Sequence, residues 1–203
     1  MSSFWDQRFA APQYKYGTEP NAFLREQAHR LSPASRVLLP GDGEGRNSVW
    51  LAQQGHQVLA VDSSAVGLAK AQALARQRGL APIATLQADL ADWAPEPDSA
   101  DALVLVFVHL PGAWRAAAHR RLAQAVVTGG WLLVESFHPQ QLGRPSGGPQ
   151  DVDMLPTLDQ LRADFAGLAD EWVGWEGEVV LDEGPGHQGP ALVSRWLGRR
   201  RTT

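Results

Sequence analysis

The chain has 203 residues, a hydrophobic fraction of 44% and a formal net charge of −4, which fits one domain over residues 1–203. Scattered basic residues argue against a nucleic-acid partner, and no apolar run is long enough for a membrane span. With no cysteine and no signal-peptide pattern, we expect a cytoplasmic protein without disulfides, thiol nucleophiles or a bound metal.

The N-terminal segment is rich in aromatic residues: Phe4, Trp5, Phe9, Tyr14 and Tyr16. Aromatic side chains ahead of the first core strand have two interpretations, packing against the sheet edge or covering a ligand, and composition favours packing. After Pro20, the apolar positions within residues 21–30 predict a first helix.

The most informative motif is a glycine turn that follows the apolar run Val37–Leu39, with the sequence Gly41-Asp42-Gly43-Glu44-Gly45. The pattern predicts a buried strand, a turn and a helix that Gly55 ends. Such a unit places a ligand against bare main chain at the carboxyl edge of a parallel sheet. A dinucleotide fingerprint needs glycine at the sixth position. Arg46 stands there, which disfavours an NAD-dependent oxidoreductase.

The second predicted strand, residues 57–61, ends at an acidic residue. Asp62 lies 21 positions after Gly41, close to the offset of about 20 residues at which doubly wound folds bind ribose. A carboxylate accepts two hydroxyl hydrogens at once. The alternative role is a helix cap, which Ser63 or Ser64 can fill equally well. That leaves Asp62 free for a ligand.

Three segments together resemble the class I S-adenosylmethionine (SAM) methyltransferases. The order Trp-Asp-x-Arg-Phe and then Tyr-x-Tyr-Gly-x-x-Pro-Asn-x-Phe-Leu, ending at Leu24, is similar to the N-terminal signature of the tellurite-resistance-like branch. The run from Gly41 to Asn47 resembles the glycine motif of that branch over seven positions. Asp-Glu-Gly-x-x-His-Gln-Gly, around His187, continues the resemblance, which covers the chain from about Phe4 to Leu197.

The resemblance implies a Rossmann-like α/β fold. Its doubly wound seven-stranded sheet is mostly parallel, the last strand is antiparallel, and helices cover both faces. It implies SAM as cofactor and an N-terminal lid and helix segment, residues 1–30, over the cofactor pocket. It also implies a cofactor site, in which Asp62 holds ribose and Asp89 with Leu90 binds adenine. The expected cofactor-binding residues are Tyr16, Gly17, Gly41, Asp42, Gly43, Gly45, Asn47, Asp62, Ser63, Asp89, Leu90 and Phe107.

The middle of the chain supplies further predicted elements. Residues 64–78 predict an alanine-rich helix, residues 83–87 a third strand, and residues 101–108 a fourth strand buried on both faces. Trp93, between these strands, either flanks adenine or seals the sheet edge. Residues 114–127 predict a helix whose solvated face carries His119, Arg120 and Arg121. Gly129-Gly130 predicts a turn before a fifth strand over 131–137.

The C-terminal third begins with a Gly- and Pro-rich loop, residues 140–157, which either shapes an acceptor pocket or is disordered. A helix is predicted over 158–168. Residues 172–181 and 191–197 predict an antiparallel pair of strands joined by a glycine-rich connection. Arg195 is expected to point outward, and Arg199–Arg201 to form a frayed basic tail.

Histidines near the predicted strand ends are the candidates for acceptor chemistry. His109 and His187 are the proposed catalytic residues, because a neutral imidazole can take a proton from a nucleophile. His138 is a weaker candidate. The alternative for each is a turn cap or a backbone contact. The chain lacks an Asn-Pro-Pro-Tyr sequence after the fourth strand, which favours a small acceptor: a group 16 oxyanion, a thiol or a hydroxyl. A SAM-binding protein without transfer activity is the rival function.

Overall fold

The computed structural model describes residues 3–202. Its seven strands are β1 Arg36–Pro40, β2 Gln57–Asp62, β3 Ala84–Gln87, β4 Ala100–Val106, β5 Val126–Phe137, β6 Ala169–Asp182 and β7 Gln188–Arg200. They form one sheet in the order β3-β2-β1-β4-β5-β7-β6. Strands β1 to β5 pair in parallel, and β7 is antiparallel to both of its neighbours. The predicted Rossmann-like α/β fold is therefore confirmed, including the antiparallel last strand.

Three of the six α-helices of the described residues begin at a capping side chain. The six are α1 Ser3–Phe9, α2 Ala22–Gln27, α3 Arg46–Gln53, α4 Ala65–Gln77, α5 Gly112–Ala123 and α6 Leu158–Phe165. The side chains of Asn21, Ser64 and Thr157 accept backbone hydrogen bonds at the starts of α2, α4 and α6, which satisfies otherwise unpaired N–H groups. Of the helices within residues 3–202, none combines the length and the apolar character that crossing a bilayer requires.

The sheet separates two apolar clusters. Within β1, Val37 and Leu39 pack with residues of α2, α3 and α4, whereas Leu38 packs with α5 and α6. Successive side chains of a strand point to opposite faces, so a strand covered by helices on both faces is apolar throughout. Because both faces are covered, the carboxyl edge of the parallel strands is where a ligand can reach the sheet.

The sequence predicted a helix that reaches residue 127 and then a turn at Gly129-Gly130. Both predictions are wrong. Helix α5 ends at Ala123, and β5 already begins at Val126. Val126 pairs with Ala100 and Trp131 pairs with Ala102, so the glycines lie in a bulge inside the strand. A Cβ on Gly130 would lie 2.6 Å from the carbonyl oxygen of Asp101. The glycine pair therefore permits the close approach of β5 to β4.

The prediction that His119 lies on a solvated face of α5 is wrong. His119 is buried, and its Nδ1 lies 2.8 Å from Oδ2 of Asp164 on α6. Arg115 is also buried and donates from Nε to the same carboxylate at 2.8 Å. The sequence could not show this arrangement, because the carboxylate comes from a helix more than 40 positions away.

Replacing Asp164 by Asn should destabilise the fold by about 2 kcal/mol near neutral pH, since Arg115 loses its buried counter-charge. Burial alone would raise the pKa of Asp164, but hydrogen bonds from His119 and Arg115 lower it below the ordinary 3.8. A group with a lowered pKa stabilises the fold above its unfolded-state pKa. The difference between wild type and variant should therefore be constant above about pH 5 and shrink as the pH falls below 3.8.

Urea unfolding at a series of pH values measures this difference. Asp159→Asn is the matched control, because Asp159 lies on the same helix but its side chain is 88% exposed. A wild-type advantage over Asp164→Asn that grows below pH 3.8 would contradict the assignment.

Two predictions about C-terminal arginines are also wrong. Arg195 does not point outward, since its Nε lies 2.5 Å from Oε1 of the fully buried Glu135. The basic tail is not frayed over its described residues, because Arg200 belongs to β7 and donates to Oδ1 of Asp98 at 3.1 Å. Arg201 donates to Oδ1 of Asp170 at 2.7 Å. Strand β7 continues to Arg200 because its last residues pair with the start of β6, Arg200 with Ala169 and Arg199 with Asp170.

Candidate functional site

A cavity of about 390 Å³ lies at the carboxyl edge of the parallel strands, within the range typical of small-molecule sites. The ends of β1, β2 and β4, helix α1 and the β6–β7 turn supply its walls. All of the predicted site residues except Gly45 line it. The lining residues are Phe4, Trp5, Phe9, Tyr16, Gly17, Gly41, Asp42, Gly43, Glu44, Arg46, Asn47, Asp62, Ser63, Asp89, Leu90, Val106, Phe107, Val108, His109, Leu110, Trp114 and His187.

Asp62 ends β2 at the floor of the cavity and is buried. Its carboxylate accepts from the backbone N–H of Gly43 and of Ser64, both at 2.8 Å. Burial raises the pKa of Asp62, and these hydrogen bonds counteract the rise. A carboxylate offers about four lone-pair sites. The sequence suggested that Asp62 is free for a ligand. In the structure two of its acceptor sites are occupied by these backbone N–H groups, and the remaining two can accept from hydroxyl groups.

The glycine turn is held by its own polar side chains. Ser48 donates from Oγ to Oδ2 of Asp42 at 2.5 Å, and burial raises the pKa of Asp42 to about 6. Asn47 accepts a hydrogen bond at Oδ1 from the backbone N–H of Asn21 at 2.9 Å. Asn47 thus both lines the cavity and ties the N-terminal segment to the turn.

Asp89 and Leu90 border the cavity after β3. Asp89 is exposed, and its Oδ1 accepts from the backbone N–H of Ala91 at 2.9 Å. It therefore acts as a turn residue, with its second oxygen available. Trp93 does not line the cavity and packs against the cluster under α5. Of its two interpretations, the geometry supports sealing the sheet edge.

The N-terminal segment forms one wall of the cavity, through Phe4, Trp5 and Phe9 on α1 and through Tyr16 and Gly17. It is docked on α4 at two points. Asp6 accepts from Oγ of Ser64 at 2.6 Å. Lys70 donates to the carbonyl oxygens of Ala11 and Gln13, both at 2.8 Å. Of the two interpretations of the aromatic cluster, this placement supports a covering role.

Both proposed catalytic histidines face the cavity beside aromatic rings. Phe107 has a positive φ of 53°, a strained conformation found mostly at functional sites. Its ring stacks on Phe137 with centroids 4.4 Å apart and meets His187 edge-on at 4.6 Å. Burial lowers the pKa of His109 to about 4 and that of His187 to about 2. Both rings are therefore neutral near pH 7.

Two other predicted features lie away from the cavity. His138 accepts at Nδ1 from the backbone N–H of Gln140 at 3.2 Å, which is the turn-cap alternative. The loop over 140–157 does not line the cavity. It packs on β7 instead, where Ser146 donates to the carbonyl oxygen of Pro190 at 2.6 Å.

The sequence did not identify several lining residues, of which Glu44, Arg46 and Trp114 carry a charge or a large ring. Glu44 pairs with Lys70 at 2.5 Å and accepts from the backbone N–H of Lys15 at 2.7 Å. Arg46 pairs with Glu183 at 2.6 Å. Glu44 and Arg46 lie inside the glycine motif, and this position could have identified them as site residues. Nothing near Trp114 in the sequence indicated that it lines the cavity.

These residues fit the predicted nucleoside cofactor. Asp62 retains acceptor sites for ribose hydroxyls, and Asp89 and Leu90 lie on the same cavity. Arg46 supplies a cation beside the glycine turn, where a carboxylate tail can be recognised. The aromatic wall of α1 offers flat apolar surface for a base.

Residues 37–130 match a family model described as a methyltransferase domain. Thiopurine S-methyltransferase from Pseudomonas putida strain GB-1 is 29% identical over 181 residues, which cover 75% of this chain and 80% of that relative. The protein of the same description from Pseudomonas putida strain F1 is 40% identical over 65 residues. That shorter match spans only 30% of the relative's length.

Among solved structures, TehB from Haemophilus influenzae superposes with a TM-score of 0.73 at 17% identity. The superposition covers 98% of this chain and 67% of TehB. At this identity the likeness concerns the fold, and it agrees with the sheet order described above.

Proposed function

We propose that the chain is a class I SAM-dependent methyltransferase, as its methyltransferase-domain match and its fold support, and that it methylates a neutral small-molecule thiol or thione. Bound SAM supplies an electrophilic methyl group on a sulfonium. The task of the protein is then to orient the acceptor and exclude water, which can contribute roughly 7–11 kcal/mol to lowering the barrier. One observation carries the proposal: a single cavity collects the predicted cofactor residues and both candidate histidines.

We assign the cofactor by the groups that face the cavity. Asp62 would accept from the ribose hydroxyls, and Asp89 with the backbone of Leu90 would bind the adenine edge. The main chain of Gly41 and Gly43 would lie beside the amino-acid portion. Tyr16, Gly17, Asp42, Asn47, Ser63 and Phe107 would complete the wall.

The charges of the cavity support a neutral acceptor over an oxyanion. Its described lining residues include four carboxylates, Asp42, Glu44, Asp62 and Asp89. Arg46, the cation among these lining residues, is already paired with Glu183. Glu44 is paired with Lys70, and Arg46 is assigned to the carboxylate of the cofactor. An acceptor oxyanion would therefore meet Asp42, Asp62 and Asp89 with only the cofactor sulfonium as counter-charge, which favours a neutral acceptor in a partly buried site.

The apolar part of the wall supports an acceptor with an aromatic or apolar body. Phe4, Trp5, Leu110 and Trp114 border the same space as His109. Flat rings bind aromatic ligands through offset or edge-on contacts. Two relatives are described as thiopurine S-methyltransferases, and this description supports a sulfur acceptor. Neutral His109 and His187 are the candidates to accept a hydrogen bond from the acceptor thiol, because their lowered pKa values make them weak bases.

An acceptor panel tests this proposal. Demethylated cofactor is measured with SAM and, in turn, an aromatic thiol, a phenol, selenite or tellurite. We expect kcat/KM for the thiol to exceed that for either oxyanion at least about tenfold, the factor that corresponds to a free-energy difference of about 1.4 kcal/mol. An oxyanion as the best acceptor would refute the acceptor class. Silence across the panel despite tight SAM binding would favour a binding protein without transfer activity.

A pair of tryptophan variants controls for a general loss of structure. Trp114→Ala should raise KM for the aromatic thiol, because Trp114 lines the cavity. Trp172→Ala should leave KM unchanged, because Trp172 is 58% exposed on β6 and lies outside the cavity. Equal effects of both substitutions would count against an aromatic acceptor subsite.

A further inference from the structure

Three neighbouring buried polar atoms, two of them on residues that line the cavity, have no aligned hydrogen-bond partner among the described residues. They are Nη1 of Arg46, Oε2 of Glu183 and Nδ1 of His187. Oε2 of Glu183 lies 2.6 Å from Nη1 of Arg46 and 4.0 Å from Nδ1 of His187. The first contact is an ion pair without hydrogen-bond alignment, and the second is too long for a hydrogen bond. Unsatisfied buried groups of this kind call for an explanation.

The other side of Glu183 is firmly held. Its Oε1 accepts from Nδ2 of Asn21 at 2.9 Å and from the backbone N–H of Ala22 at 3.2 Å. The backbone N–H of Glu183 donates to the carbonyl oxygen of His187 at 2.9 Å. Glu183 is therefore anchored to the N-terminal segment and to the turn that carries His187, while Oε2 has two neighbours competing for it.

We infer that Glu183 is a positioning residue for His187, its Oε2 being shared between Arg46 and the imidazole. A ligand carboxylate that pairs with Arg46 leaves Oε2 to accept a hydrogen bond from Nδ1–H of His187. The required shortening is about 1 Å, from the observed contact to an ordinary N–H···O distance. This inference rests on the proposed function, because the amino-acid tail of SAM would supply that carboxylate.

The consequence concerns the tautomer of His187. Nδ1 is fully buried, so Nε2 is the ring nitrogen available to an acceptor in the cavity. With the proton on Nδ1, the lone pair lies on Nε2, where it can accept a hydrogen bond from a thiol. Burial and then Arg46 lower the pKa of His187 to about 2, with further lowering from His109, Arg8 and Lys15. The ring stays neutral, so its tautomer is the property that Glu183 can control.

Nitrogen NMR of the histidine rings in the full chain tests this directly. The ligands are S-adenosylhomocysteine, which has the carboxylate, and 5′-methylthioadenosine, which lacks it. A hydrogen bond to a charged group is strong enough to shift a tautomer ratio at least about tenfold toward Nδ1–H. We expect this shift with S-adenosylhomocysteine and no shift with 5′-methylthioadenosine. Identical His187 spectra with both bound ligands would overturn the inference.

Glu183→Gln should abolish the ligand-induced shift, since the amide removes the charge at nearly the same volume. Glu178→Gln is the matched control, because Glu178 is exposed on β6 and pairs with Arg144. If Glu183→Gln does not fold, the two-ligand comparison in the wild type still decides the matter. Absence of calorimetric heat with S-adenosylhomocysteine would overturn the proposed function as well. Binding without a tautomer shift overturns the role of Glu183 alone.

Discussion

Asp62→Ala is expected to weaken S-adenosylhomocysteine binding roughly 100-fold or more. Two hydroxyl hydrogen bonds to a charged acceptor are lost, each contributing about 1.5–3 kcal/mol. The same substitution leaves the backbone N–H groups of Gly43 and Ser64 without their partner. Titration calorimetry measures the affinity, and a thermal scan shows that the variant is folded at the working temperature.

The ligand 5′-methylthioadenosine makes this prediction specific. It shares the ribose but lacks the amino-acid tail, so Asp62→Ala should weaken its binding by a similar factor. Asp159→Ala, which changes an exposed carboxylate on α6, should leave both affinities unchanged. If Asp62→Ala keeps wild-type affinity for either nucleoside, the ribose assignment is wrong.

Gly45→Ala is expected to destabilise the fold by about 3 kcal/mol or more. Gly45 has a φ of 90°, and a side chain in the left-handed region costs roughly 1–2 kcal/mol. A Cβ at this position would also lie 2.6 Å from Cα of Ala71 on α4, and such overpacking typically costs about 1–3 kcal/mol more. Urea unfolding at neutral pH measures the loss.

Gly55→Ala isolates the contribution of the steric contact. Gly55 has a similar φ of 87°, but a Cβ there would meet no atom within 4 Å. We expect this control to lose only the backbone term of about 1–2 kcal/mol. Equal losses in both variants would show that the contact between the glycine turn and α4 does not matter. Gly45 would then have to be explained by ligand approach, as the sequence first suggested.

The three glycines of the turn have different surroundings, although one motif contains them all. Gly41, Gly43 and Gly45 belong to one motif, and the motif correctly predicted a strand, a turn and a helix. Gly41 and Gly43 line the cavity, whereas Gly45 faces Ala71. Which side of the turn each glycine faces depends on where α4 packs, and the motif contains no information about α4.

The surroundings of the histidine side chains also depend on elements outside their local sequence. His109 follows a parallel strand, so its place at the carboxyl edge was predictable, whereas His187 lies in the turn of the antiparallel β6–β7 pair and was placed near the pocket by the family resemblance. His119 was predicted to be solvated, because the alanine-rich helix around it carries little amphipathic pattern. Its buried partner Asp164 comes from another helix.

The sequence by itself determined the order of the strands and of helices α2 to α6 along the chain and the position of the glycine turn beside Asp62. These depend on local periodicity, on glycine conformation and on short fixed offsets along the chain. Helix α1 was not predicted, and the doubly wound fold was implied by the family resemblance. Only the tertiary structure decided which polar side chains are buried and what each one pairs with. Asn21, Glu135 and Glu183 are far apart in sequence yet share one hydrogen-bond network. Burial and pairing depend on what the fold brings opposite a residue, and no local pattern carries that information.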